Sequence, residues 1–141
     1  MENICRYIVV DDNPINVLVT EHIIKKVSKN AQIKSFALAT LALQHIEEEY
    51  GNTNSTIPTL LFLDLHMPVM DGFEFLERFL KLNRDIQEQF KIIVLSATAD
   101  SVELKRATAY SCVTDCREKP LTIKVLKKLI EETILAFNFW S

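Results

Sequence analysis

The sequence has no excess of positive charge, no long apolar run and no closely paired cysteines, and each absence removes a class of protein. Its 16 Lys and Arg stand against 19 Asp and Glu, a formal charge of -3 and a pI near 5.6. A nucleic-acid footprint needs clustered basic residues and usually a basic domain, so direct binding to nucleic acid is not expected. The pairs Lys25-Lys26 and Lys127-Lys128 alternate with apolar residues at helical spacing and read as solvated helix faces. Nowhere do about eighteen uncharged apolar residues run together. The N-terminal MENICRYIVVDD also lacks the apolar stretch of a secretion signal before its acidic pair. A cytoplasmic chain with no membrane attachment is expected. Cys5, Cys112 and Cys116 are odd in number and none of them forms a CxxC, so reduced packing thiols are expected rather than zinc ligands or a redox pair.

What is present is ordinary for a globular protein: 141 residues, 48% hydrophobic and 25% charged. A chain of this length can bury roughly 70% of its unfolded surface in one core. One domain over residues 1–141 is expected, with its core at about 6–137.

Apolar runs and helical stripes alternate along the chain. Tyr7 to Val10 reads as a strand ending at Asp11-Asp12, and Asn13 and Pro14 then supply an N-cap and a first helical residue. Ile15, Val19, Ile23 and Val27 suggest a buried stripe carrying that helix to about Lys29. Ile33 to Phe36 is a weaker strand, followed by a helix with Ala39, Leu43, Ile46 and Tyr50 on one side, and the polar segment from Gly51 to Thr56 is a loop. Thr59 to Leu65 is almost wholly apolar, as expected of a parallel strand covered on both faces. A third helix is expected from Gly72 to Leu82, with the polar stretch from Asn83 to Gln89 as its extension or a surface insertion. Lys91 to Ser96 is the fourth strand, Asp100 to Tyr110 a weakly packed helix, and Cys112 to Glu118 the fifth strand. Leu121 to Phe137 closes the chain, with Leu126, Leu129, Ile130 and Ile134 on its packing side.

Five strands alternating with five helices predict a doubly wound α/β parallel sheet, in which ligands bind beyond the carboxyl ends of the strands where the strand order switches. Asp11, Asp12, Asp64, Ser96 and Lys119 all fall at strand ends. Three carboxylates drawn together need a cation among them, and a hard divalent ion with oxygen ligands, Mg²⁺ best, meets that need. With an ammonium and a hydroxyl nearby, the set suits phosphoryl transfer onto Asp64 as nucleophile. Asp11 and Asp12 would hold the metal, and Lys119 and Ser96 the oxygens of the transferred group.

The stretches VVDDNPINVLV, FLDLHMPVMDGFEF, VLSA and REKP resemble the receiver domain of two-component response regulators, in the right order over about residues 6–137. The resemblance implies a flavodoxin-like sheet of strand order 2-1-3-4-5. It implies that Asp64 is the phosphoacceptor, that Asp11, Asp12 and Asp64 bind Mg²⁺ together with the backbone carbonyl of His66, and that Ser96 is the switch hydroxyl. Lys119 takes the place of the family's lysine, followed by a bond to Pro120 that is usually cis. Met67, Pro68, Asp71 and Gly72 then shape the turn that presents Asp64. The chain departs from the family at Cys116, where Tyr or Phe is usual, and at Cys112 and Ala39, where glycines are frequent. The segment from Asn83 to Phe90 also exceeds the usual length.

The implied function is acceptance of a phosphoryl group from a sensor histidine kinase or a histidine phosphotransfer protein, followed by a change in binding to a downstream protein. It is not that of a turnover enzyme, though the domain would catalyse its own phosphorylation and dephosphorylation. The movable element is expected in the loop after Ser96 and the weakly packed helix beyond it. With no output domain in these residues, signalling by contact, phosphorelay or homodimerisation is expected, or else origin as a piece of a hybrid kinase. Two rivals follow from the same residues. One is a receiver-like module that is never phosphorylated. The other is a phosphatase of the haloacid dehalogenase type, which needs a second Asp where this chain has His66. His22 and His45 read as surface or packing residues.

Overall fold

The computed structural model describes residues 5–51, 57–97 and 101–140, with side chains excepted at 101 and 138–140. Most of the expected GNTNST loop and Thr98 to Asp100 of the loop after Ser96 lie outside the described residues, as does Ser141. The order is β1 (Arg6–Val10), α1 (Pro14–Val27), β2 (Gln32–Phe36), α2 (Ala39–Tyr50), β3 (Thr59–Asp64), α3 (Gly72–Phe79), α4 (Arg84–Gln87), β4 (Phe90–Ser96), α5 (Ser101–Thr108), β5 (Val113–Glu118) and α6 (Ile123–Trp140). The strands form one parallel sheet in the order β2-β1-β3-β4-β5, as the sequence pattern and the resemblance imply.

Period-two alternation in the central strands sorts the core into two layers. Ile8, Val10, Leu61, Leu63, Ile92 and Val94 face the layer of α2 and α3, where Ala42, Ile46, Phe75 and Phe79 are buried. Tyr7, Val9, Leu60, Phe62, Ile93 and Leu95 face α1 and α6, where Ile24, Leu126 and Leu129 are buried. The nearly unbroken apolar run of β3 is thus two interleaved faces, each covered by helices.

Three expectations need correction. Among the described residues the helices number six rather than five, because Asn83 caps a separate turn: its side chain accepts from the Asp85 N–H, and α3 has already ended at Phe79 rather than Leu82. The polar stretch from Asn83 to Gln89 is therefore neither an extension of α3 nor a purely surface insertion. Ile86 is buried in the core, Gln87 Nε2 donates to the carbonyls of Leu80 and Leu82, and Gln89 Nε2 donates to those of Tyr50 and Asp85. Side-chain amides here satisfy backbone groups that helix ends leave open. The stripe expected on α1 is also rotated. Thr20 and Ile24 are its buried residues and Val17, Ile23 and Val27 pack beside them, whereas Ile15 is 70% exposed and Leu18 and Val19 join it in solvent.

Other expectations agree with the structure. The Asn13 side chain accepts from the N–H groups of Ile15 and Asn16, with Pro14 opening α1. Among the described residues of α5 only Ala107 is buried, as the few apolar residues of this helix suggest. All three cysteines are free, and burial pushes the thiols of Cys5 and Cys112 up to about 11. Cys112, in the turn just before β5, and Cys116, within β5, both pack at the margin of the α2–α3 layer. His22 is exposed, and the half-buried ring of His45 lies 5.2 Å from that of Phe36. No described helix is long and apolar enough to cross a membrane.

Candidate functional site

Strand order reverses between β1 and β3: the chain leaves β1 for β2 on one side and returns to β3 on the other. A crevice opens at such a point beyond the carboxyl ends of the strands. Val10 pairs with Leu63, so Asp11 and Asp64 leave adjacent strands at the same level. Ser96 ends β4 next to them, and Lys119 follows β5.

One carboxylate oxygen from each of Asp11, Asp12 and Asp64 lies within 4.8 Å of the others. Asp11 and Asp64 are buried, at 5% and 8% exposure, while Asp12 faces solvent. Lys119 Nζ donates to Asp11 Oδ2 at 2.7 Å and stands 3.4 Å from Asp64 Oδ1. The backbone directs these groups. The Asn13 N–H donates to Asp11 Oδ1 at 2.9 Å, the Lys119 N–H donates to the Ser96 carbonyl at 2.7 Å, and the Lys119–Pro120 bond is cis. Ser96 is itself buried.

The turn after Asp64 is closed by the Gly72 N–H donating to the Leu65 carbonyl at 2.9 Å. A Cβ at Gly72 would stand 2.6 Å from the Asp64 carbonyl oxygen and 2.7 Å from the Leu65 Cα, so only glycine permits this approach. Asp71 then caps α3 by accepting from the Glu74 N–H. Within the turn Val69 adopts a φ of 70°, a left-handed conformation that a β-branched residue rarely takes, and its side chain is 84% exposed.

Burial raises the Asp64 carboxyl above its ordinary value. Lys119 opposes that rise and Asp11 adds to it. One lysine among three carboxylates leaves net negative charge in a partly desolvated notch, and the donors are all oxygen. That set fits a hard divalent cation such as Mg²⁺, which takes carboxylates while keeping waters. A buried carboxylate, further oxygen donors that could hold a cation and a lysine gathered around one point are a set that phosphoryl transfer can use.

The structure thus brings together Asp11, Asp12, Asp64 and Lys119, with Ser96 at the adjoining strand end. The ring of His66 turns away, its Nε2 lying 2.8 Å from Glu103 Oε2 in α5, while its backbone N–H lies 3.4 Å from Asp64 Oδ1. Two participants had escaped sequence reasoning. The Asn13 backbone was foreseeable from the helix start, but Glu103, 37 residues from its partner, was not. A cleft of about 930 Å³ lies at the opposite end of the sheet, lined by Phe79, Leu82, Phe90, Cys112 and Phe137 among others, and includes none of the residues gathered at Asp64.

The family model described as the response regulator receiver domain matches residues 7–131. A crystal structure of a response regulator receiver protein from Dyadobacter fermentans DSM 18053 superposes with a TM-score of 0.80 and 26% identity, covering 91% of this chain and 96% of that one. Two curated relatives are similar in sequence. "Probable methanogenesis regulatory protein FilR2" of Methanothrix harundinacea is 25% identical over 89% of this chain and 78% of its own length. "Probable C4-dicarboxylate response regulator DctR" of Halalkalibacterium halodurans is 27% identical over 93% of this chain but only 52% of its own.

Proposed function

This chain belongs to the response regulator receiver family, and from that premise we propose that Asp64 accepts a phosphoryl group from a phosphohistidine, with Asp11, Asp12 and the His66 carbonyl helping it hold Mg²⁺. On this reading residues 1–141 form one receiver domain, working in the cytoplasm where a histidine kinase or histidine phosphotransfer protein supplies the group. The observation that carries it is the meeting of a buried carboxylate, Asp64, with Lys119 Nζ at 3.4 Å and two further carboxylates within 4.8 Å.

An Asp64 oxygen forms the new P–O bond as the P–N bond to the donor imidazole breaks. The bonding pair stays on that nitrogen, which takes up a proton. When bound, the magnesium ion neutralises charge on the transferred oxygens. Lys119 can leave Asp64 for a phosphoryl oxygen without losing Asp11, and the Ser96 hydroxyl is the natural donor to another oxygen. Water returns the site by cleaving the acyl phosphate, which releases inorganic phosphate and restores the Asp64 carboxylate. The domain catalyses both steps on itself by positioning and charge neutralisation.

The exposed residues Ile15, Leu18 and Val19 on the first turns of α1 support a protein donor, because they offer an apolar face beside Asp12 on which a partner helix can rest. The downstream partner would respond to a surface that changes with the charge on Asp64, and homodimerisation is one form such a response takes.

Incubation with acetyl phosphate and Mg²⁺, followed by intact mass measurement, tests this reading. Wild type is expected to gain one phosphoryl group, lost on adding EDTA beforehand and absent in Asp64→Ala. A wild-type mass unchanged by acetyl phosphate and by a phosphorylated histidine donor alike would refute it.

A further inference from the structure

One side of α5 carries a seam of contacts that the phosphoacceptor chemistry does not use. Glu103, Arg106 and Tyr110 stand at i, i+3 and i+7, along a single side of the helix and its extension. Facing them are His66, in the loop after β3, and Phe73 and Glu77, four apart on α3. The partners meet in register. His66 Nε2 and Glu103 Oε2 are 2.8 Å apart, the Arg106 guanidinium lies 3.8 Å from the Phe73 ring centroid, and the Tyr110 hydroxyl donates to Glu77 Oε1 at 3.1 Å.

On its inner side Ala107 is the one buried residue among those described in α5, and β5 presents the small Cys116 rather than an aromatic ring. The upper end of the seam is tied to the acceptor, since the backbone N–H of the same His66 reaches Asp64 Oδ1. The lower end is tied to α3, whose Phe73 and Phe75 are locked in the core.

We propose that this seam is a clasp joining α5 to the loop that carries Asp64, and that it sets how readily α5 moves when Asp64 is phosphorylated. It rests on the reading of Asp64 as phosphoacceptor. Charging Asp64 places new negative charge beside the His66 N–H and shifts the loop, and the ring of His66 moves with it. Once Glu103 is released, Arg106 on Phe73 and Tyr110 on Glu77 remain to hold a helix with one buried residue. By linkage, anything that opens the clasp beforehand favours the charged form, because less of the binding free energy is spent on moving α5.

Hydrogen exchange at the α5 amides and beryllofluoride affinity in Mg²⁺, measured on the full chain, test the proposal. The variants are His66→Ala, Glu103→Ala, the double variant, Glu103→Gln and Tyr110→Phe. Each alanine variant is expected to speed α5 exchange about 3- to 10-fold and to tighten beryllofluoride binding by a similar factor. The double variant should go no further than either single, because both remove one contact. Glu103→Gln keeps an acceptor oxygen and should stay near wild type. Tyr110→Phe loses only a hydroxyl and should speed exchange with the fold intact. Unchanged exchange, or effects of His66→Ala and Glu103→Ala that simply add, would overturn the clasp, as would equal beryllofluoride affinity in all variants. A wild type that takes up no beryllofluoride would instead overturn the acceptor reading beneath it.

Discussion

Replacing Asp64 with Asn should stabilise the metal-free protein, although Asp64 faces a lysine. At an effective dielectric of about 20, Lys119 Nζ at 3.4 Å attracts the Asp64 carboxylate by about 5 kcal/mol. Asp11, no more than 4.8 Å away, repels it by about 3.5 kcal/mol or more, and the solvent-screened Asp12 adds a smaller repulsion. These terms nearly cancel. The desolvation of a carboxylate that is 8% exposed then decides the sign, in agreement with the raised protonation of Asp64. The amide avoids that cost, and Lys119 keeps its 2.7 Å partner in Asp11. A gain on the order of 1–2 kcal/mol is expected at neutral pH, or roughly 3–7 °C in Tm for a chain of this length.

The pH dependence has a definite sign. Burial raises the folded-state value of Asp64 above 3.8, so its ionised form opposes folding. The penalty is absent below the ordinary value and grows as pH rises through the folded one. The gap between Asp64→Asn and wild type should therefore be widest near neutrality and close in acid. Mg²⁺ at ten times its dissociation constant should add about 1.4 kcal/mol, roughly 5 °C, to wild type, and less to the variant. Thermal melts in EDTA and in Mg²⁺ across pH supply the assay. A variant less stable than wild type in EDTA at neutral pH, or one with an undiminished magnesium shift, would refute the reasoning.

Three further outcomes are expected. Val69→Asn should stabilise the protein by about 1 kcal/mol in chemical denaturation, since asparagine tolerates a φ of 70° and the 84% exposed valine gives up no packing; a loss of stability would show that the turn is not strained. Gly72→Ala should destabilise by several kcal/mol, because its Cβ would meet the Asp64 carbonyl at 2.6 Å and the fixed backbone of Leu65. Its phosphorylation by acetyl phosphate should fall as well, and a variant of wild-type stability would contradict the close approach. Ile15→Asp should slow transfer from a phosphohistidine protein about 10-fold or more while leaving acetyl phosphate labelling intact, since Ile15 is 70% exposed and lies outside the acidic notch; equal loss with both donors would count against an α1 docking face.

The strands and the acidic notch were legible because the same physics wrote both. A parallel strand covered on two faces must be apolar throughout, so the charge of Asp64 after Leu60 to Leu63 marks where the sheet stops and the crevice begins. Asn13-Pro14 likewise announced the start of α1. Which side of α1 faces the sheet was harder. Ile15 and Val19 continue the spacing of Ile23 and Val27, and only packing on α6 and β1 reveals that Thr20 and Ile24 are the buried pair. The turn of α4 was hidden because Gln87 and Gln89 look like surface residues until their amides are seen to satisfy carbonyls of Leu80, Leu82 and Tyr50. His66 and Glu103 left no trace in spacing, since their meeting depends on how a loop and a helix 37 residues further on pack together.

The most direct test of the central claim is to identify the phosphorylated side chain chemically. After labelling with acetyl phosphate and Mg²⁺, borohydride reduces an acyl phosphate to the alcohol, and peptide sequencing by mass spectrometry then locates it. Conversion at Asp64 alone, with Asp11 and Asp12 untouched, is the expected result. Conversion at another carboxylate, or none at any position under conditions that label a known receiver, would contradict it.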